Sequence, residues 1–186
     1  MTPLELAACL SAPVARAQVW ADPLSAAMAL YAIDSPKRQA AFIAQVGHES
    51  GRLVYVRELW GPTPTQERYE GRDDLGNTQP GDGRRFMGRG LIQVTGRVNY
   101  QTCGDALGLD LIGQPDLLEQ PGNASLSAAW FWNTHGCNEL ADIMDFETIT
   151  RHINGGLNGF DDRVTLWKMA CTALGVGDGY WSTSWH

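Results

Sequence analysis

The sequence predicts a mainly α-helical domain, on three observations. Helix starts are spelled out as Thr2-Pro3 and Ser35-Pro36, each a capping hydroxyl followed by proline at the first helical position. Apolar residues recur at helical spacing in Leu4, Ala7, Ala8 and Leu10, and again in Ala40, Ile43 and Val46. Residues 123–132, 146–153 and 161–174 continue the same habit, whereas only Leu91-Ile92-Gln93-Val94-Thr95, short and β-branched after Gly90, reads as a small strand or extended segment.

Taken in order, Thr2 caps a first helix. The apolar stretch from Val14 to Ile33 is interrupted by Pro23, so two short helices are expected there. Ser35 caps the next helix, which delivers His48 and Glu49 at its end, just before Gly51. From Gly61 to Gly90 the composition turns to Gly, Pro, Asp, Glu and Arg, as in a long loop over a cleft. A disordered linker shares that composition, but Trp60, Tyr69 and Phe86 offer anchors. The 123–132 segment is rich in Ala, Leu and Trp, and its Trp130 and Trp132 are read as core. Gly155-Gly156 ends the 146–153 helix, and Val164, Trp167, Met169, Ala170 and Leu174 give the last helix its apolar stripe.

A chain of 186 residues with 44% hydrophobic residues suits one domain, residues 1–186, with two lobes around a cleft and a well-buried core. The net charge of −7 gives no reason to expect nucleic acid as a partner. The start, Met1-Thr2-Pro3-Leu4-Glu5-Leu6, lacks the basic and apolar stretches of a secretory signal, so synthesis in the cytoplasm without export is expected. No run reaches the ~20 apolar residues of a membrane span, so no stable membrane insertion is expected. Cys9, Cys103, Cys137 and Cys171 read as small buried hydrophobes; a Cys103–Cys137 disulfide is conceivable from the even count, though a cytoplasmic origin argues against it.

His48-Glu49 invites a zinc reading, but no histidine follows four residues on, and His135, His152 and His186 show no ligand spacing; no metal site is expected. Glu49 and Glu58 suit acid/base cleavage of an acetal, one carboxyl donating a proton while the other activates water. Nine residues apart, they would lie on opposite faces of a continuous helix, unless Gly51 breaks it and returns Glu58 to the same cleft. Spacing alone favours two solvated surface glutamates. Downstream, Gly88-Arg89-Gly90 permits close backbone approach, and Gln93 and Thr95, two apart on an extended segment, point to one face. Asn99-Tyr100 and Ile153-Asn154-Gly155-Gly156 add amides beside glycines, the neutral polar groups that orient sugar hydroxyl and acetamido groups.

Residues 41–58, AFIAQVGHESGRLVYVRE, and 86–100, FMGRGLIQVTGRVNY, followed by Ser127 to Trp132, Ile153 to Gly156 and Arg163, resemble the plant-type chitinase family of glycoside hydrolases, family 19, and within it the endolysins of bacterial viruses. The resemblance implies a lysozyme-like, two-lobed helical fold with a small extended element near 86–96 and a central cleft. It implies Glu49 as general acid and Glu58 as general base of an inverting mechanism, with Thr95 helping to hold the attacking water. His48, Gln93, Asn99, Tyr100 and Asn154 fall at substrate-cleft positions, and Arg163 near a catalytic glutamate. The gap between the glutamates is shorter than in the plant enzymes, whose extra disulfide-bearing loops are missing, so Glu67 and Glu70 compete with Glu58 for the role of base. The expected protein is a monomer without cofactor that cuts β-1,4 bonds in peptidoglycan glycan strands and reaches the wall after release. Chitin oligosaccharides are the alternative substrate, and a noncatalytic glycan-binding module the rival of another class.

Overall fold

The computed structural model describes residues 1–177; His186 lies outside the described residues. Its α-helices are α1 (Pro3–Leu10), α2 (Val14–Leu30), α3 (Pro36–Glu49), α4 (Pro64–Glu67), α5 (Asp82–Arg85), α6 (Arg97–Leu107), α7 (Pro121–Thr134), α8 (Cys137–Asp142), α9 (Phe146–Asn154) and α10 (Phe160–Ala173), with short 3-10 turns at Asp73–Leu75 and Pro115–Glu119. Among the described residues no helix is long and apolar enough to cross a membrane.

The helix starts obey the local code. Thr2 accepts from the Glu5 amide while Glu5 reaches back to the Thr2 amide, a complete capping box, and Ser35 accepts from the Arg38 amide. Pro23 does not divide its segment: α2 runs unbroken through it. A proline inside a helix costs about 3 kcal/mol, but Trp20, Ala21, Leu24, Ala27 and Met28 bury one continuous stripe on both sides of it, and that packing prevails.

Two hydrophobic clusters give the molecule its lobes. The larger gathers α1, α2, α3, α8, α9 and α10 around Phe42, Trp132, Phe146 and Trp167. Helix α3 is its axis, and Gly47 allows α1 to lie close, since a Cβ there would sit 2.3 Å from Leu10 Cδ2. The smaller cluster joins Phe86, Val94, Tyr100, Cys103, Leu111 and Leu118. Helix α7 serves both: Ala124, Ala128 and Trp132 face the larger core, whereas Trp130 is half-buried and packs against the smaller one. Trp132 fulfils its reading as core; Trp130 also reaches the surface of a hollow. All four cysteines are buried and unpaired, Cys103 in the smaller cluster and Cys137 in the larger, so the conceivable disulfide is not formed. Burial pushes each thiol up to about 12, which keeps them protonated and inert.

The expected strand at 91–95 is instead a turn. Gly90 (φ 80°) and Gln93 (φ 58°) are left-handed, folding the chain back so that Arg89 and Val94 bridge each other, while Arg89 also bridges Arg57. β-branched residues marked the segment as extended, but it is too short to propagate a ladder. The Gly61 to Gly90 stretch is no linker. The Asn77 side chain donates to Tyr69 O and accepts from the Arg97 amide, and Asp82 receives both Arg97 Nε (2.7 Å) and Nη2 (2.5 Å).

Candidate active site

Glu49 closes α3 on the edge of the larger lobe. Its carboxylate accepts from Arg163 Nη2, and Arg163, 1% exposed, also donates to Gln45 Oε1 at 2.5 Å and Asn158 O at 3.2 Å. Gln45 lies one turn before Glu49 on α3 and in turn donates to Thr150 Oγ1 at 2.7 Å, so α3, α9 and α10 share one buried polar chain ending at the carboxylate. His48 runs parallel to it. Its Nδ1 lies 2.7 Å from Asp162 Oδ2 and its ring lies against Gly159, where a Cβ would come within 2.3 Å. Burial raises the Asp162 carboxyl, but hydrogen bonds from His48 and Arg52 outweigh it and hold the group below its ordinary range.

Helix α3 ends abruptly because Gly51, Arg52 and Leu53 are all left-handed (φ 57°, 59° and 64°). Two non-glycine residues in that region cost about 1–2 kcal/mol each. The surroundings hold them: Arg52 donates to Asp162 Oδ1 at 2.6 Å, Leu53 is buried, and the Leu53 amide finds Ser50 Oγ at 2.8 Å. This reversal sends residues 56–58 along the 86–96 turn. The Glu58 amide donates to Gly88 O (2.9 Å), and the Gly90 amide donates to Val56 O (2.9 Å).

The Glu58 carboxylate is fixed from three sides: by the Gly88 amide (3.2 Å), Gln66 Nε2 (3.0 Å) and Tyr69 OH (3.3 Å). Burial, then the adjacent Glu58 charge and hydrogen bond, raise the Tyr69 phenol, which stays a donor. Gly88 also lets Gln93 and Thr95 close in, since a Cβ there would lie 2.7 Å from Gln93 Oε1 and 3.3 Å from Thr95 Oγ1. Glu58, Gln93 and Thr95 therefore converge on one glycine. Glu70 is occupied elsewhere, accepting from the Gly81 (2.6 Å) and Gly83 (2.9 Å) amides, and Glu67 is exposed.

Between the lobes lies a hollow of about 520 Å³ whose walls include Gln93, Thr95 and Asn99 on one side and Trp130, Phe131 and Ile153 on the other. Gln93 donates to Gly90 O, Thr95 to Gln93 O and Asn99 to Thr95 O. Thr95 thereby spends its one hydroxyl proton and keeps Oγ1 as an acceptor, while Gln93 and Asn99 each keep a second amide N–H beside their side-chain oxygens. Asn154, next to Ile153, has Oδ1 buried without a partner among the described residues. A second hollow of about 400 Å³ has Glu58 in its own wall, with Arg57, Trp60 and Arg84.

One sequence-assigned substrate contact is corrected. Tyr100 is fully buried, donating to Met87 O (2.6 Å) and accepting from Arg89 (3.0 Å); its ring belongs to the smaller core. Arg163 stands beside Glu49, as the resemblance implies; it is buried, and each of its three nitrogens donates within the protein, to Asn158 O, Gln45 Oε1 and Glu49. His48 is partly exposed, with Nδ1 on Asp162, its ring against Gly159 and no hydrogen bond on Nε2 among the described residues. The sequence reading also passed over Gln45, Gln66 and Asp162. Gln45 carried a usable signal, standing four residues before Glu49 on the same helix face. Gln66 did too, as the last residue of the capping box Thr63-Pro64-Thr65-Gln66.

Known proteins resemble this chain in sequence and in fold. The sequence profile of a family described as chitinase class I (Glyco_hydro_19) matches residues 31–142. A Haemophilus influenzae protein described as a glycosyl hydrolase family 19 domain-containing protein is 37% identical over 161 residues, covering 70% of this chain and 77% of the relative. Acidic endochitinase SP2 of Beta vulgaris is 31% identical over 78% of this chain, which spans about half (52%) of that relative's length. The crystal structure of a bacterial family 19 chitinase superposes with a TM-score of 0.75 at 26% identity, covering 95% of this chain and 96% of that one. Chitinase C from Streptomyces griseus gives 0.74 at 27% identity, covering 93% and 76%. The lysozyme-like helical fold and these likenesses define a glycoside hydrolase. The chain belongs to glycoside hydrolase family 19.

Proposed function

We propose that the protein hydrolyses β-1,4 bonds between N-acetylated amino sugars with inversion, Glu49 acting as general acid and Glu58 as general base. The observation that carries this is the separate anchoring of two carboxylates, Glu49 by Arg163 in the larger lobe and Glu58 by Gln66, Tyr69 and Gly88 beside the turn that presents Gln93 and Thr95. Glu49 gives its proton to the glycosidic oxygen as the C1–O bond breaks. A water adds to C1 and loses its proton to Glu58, and Thr95 Oγ1 steadies that water. The Arg163 guanidinium then faces the carboxylate left on Glu49. Gln93, Asn99 and Asn154 orient hydroxyl and acetamido groups, and α7 supplies the apolar wall through Trp130 and Phe131. Neutral N-acetylglucosamine chains are the substrate that the relatives' names favour.

Digestion of chitooligosaccharides followed by proton NMR within the first minutes is expected to show products of α configuration from β bonds. An inverting pair leaves room for a water, standing about 6.5–9.5 Å apart, unlike the ~5–5.5 Å of a retaining pair. Early β product would reverse the role given to Glu58. A second reading, action on peptidoglycan strands, is favoured by the two arginines, Arg57 and Arg84, in the wall of the smaller hollow.

A further inference from the structure

The walls of the smaller hollow carry Arg57, Arg84, Leu59, Trp60 and Met87 besides Glu58 itself. This is a different chemistry from the amides and hydroxyls of the larger hollow. A guanidinium can donate to neutral sugar oxygens, but a carboxylate is the partner that matches both its charge and its planar fork. Composition makes the pairing more pointed, since the chain has 14 Lys and Arg against 21 Asp and Glu.

Neither arginine is committed to the fold. Arg84, exposed on α5, makes no hydrogen bond or ion pair among the described residues. Arg57 reaches Glu119 only at 3.5 Å, and Glu119 is already bound by Arg89 at 2.8 Å. The anion in the wall, Glu58, is satisfied by its own three donors. Leu59 and Trp60 add apolar surface beside the cations, which suits a carboxylate carried on a short alkyl arm.

We infer that this hollow is a subsite for a carboxylate borne by the glycan strand, as on the lactyl ether of an N-acetylmuramic acid residue. The inference rests on the glycosidase reading and names a substrate class for it: strands alternating N-acetylglucosamine with a carboxylated amino sugar. The position beside Glu58 sets the charged residue next to the bond being cut, so the anion contributes to register as well as affinity.

The test measures binding by calorimetry with the Glu49→Gln protein, which needs no turnover. The probes are an alternating N-acetylglucosamine/N-acetylmuramic acid tetrasaccharide, its carboxamide derivative of equal shape, and chitotetraose. The free acid is expected to bind about tenfold more tightly than the carboxamide, as for one charge-assisted pair near the surface. Adding Arg57→Ala and Arg84→Ala should bring that ratio to one, and Arg84→Glu should invert it. Raising the salt should weaken the acid more than the amide. Equal affinity for acid and carboxamide, or a ratio that survives loss of both arginines, would overturn the subsite. Failure of the wild-type protein to cut any of the three glycans would sink the glycosidase reading instead, and the binding ratio still decides the subsite on its own.

Discussion

Glu49→Gln is expected to lower turnover of an amino-sugar oligosaccharide by about 10²–10⁴-fold, the contribution of a positioned acid/base group. The amide keeps the shape and an acceptor oxygen for Arg163 Nη2, so the chain still folds. It does not fold unharmed, because Arg163 is 1% exposed and loses its one anionic partner among the described residues, retaining the neutral oxygens of Gln45 and Asn158. Weakening a charge-assisted bond to a buried cation costs about 1–3 kcal/mol. The assay therefore belongs well below the melting transition, with circular dichroism recorded on the same sample. A folded Glu49→Gln protein that works at near wild-type rate removes Glu49 from the chemistry.

The second large effect separates three glutamates. Glu58→Gln should reduce turnover by about 10²-fold or more, while Glu67→Gln changes it little and Glu70→Gln acts chiefly on stability. Glu58 is pinned by the Gly88 amide, Gln66 and Tyr69, and a base must be held to its water at hydrogen-bond distance. Glu70 is spoken for by the Gly81 and Gly83 amides, where its loss loosens the 81–83 turn. Measuring the three variants side by side, each with a thermal melt, decides the matter. An inactive Glu67→Gln or Glu70→Gln beside an active Glu58→Gln would move the base into the loop.

Much of this was legible in the sequence because it is local. Thr2-Pro3 and Ser35-Pro36 announce their helices by capping chemistry that involves only neighbours, and the apolar stripe of α3 leads to Glu49. What the chain order hides is partnership at long range. Arg163 resembles a helix-start surface residue until α10 packs on α3 and buries it against Glu49. Tyr100 beside Asn99 looks like a second cleft residue, yet one step around a helix turns it inward. The strand expected at 91–95 failed because propensity cannot foresee two left-handed residues, Gly90 and Gln93, within it. Pro23 misled for the opposite reason: a strong local breaker was overruled by burial on both sides.

The two carboxylates answer to different cores, Glu49 to the large cluster around Phe42 and Trp132, Glu58 to the turn that rests on the small one around Phe86 and Tyr100. Cooperative units of unequal size open at unequal free energies. On warming, the half that carries the base is expected to loosen first, while α3 and its acid remain in place. Catalysis accordingly fades several degrees before the helical signal does, and the gap between the two temperatures measures how much weaker the lesser lobe is. A substitution that tightens the Phe86 cluster raises the first temperature and scarcely moves the second.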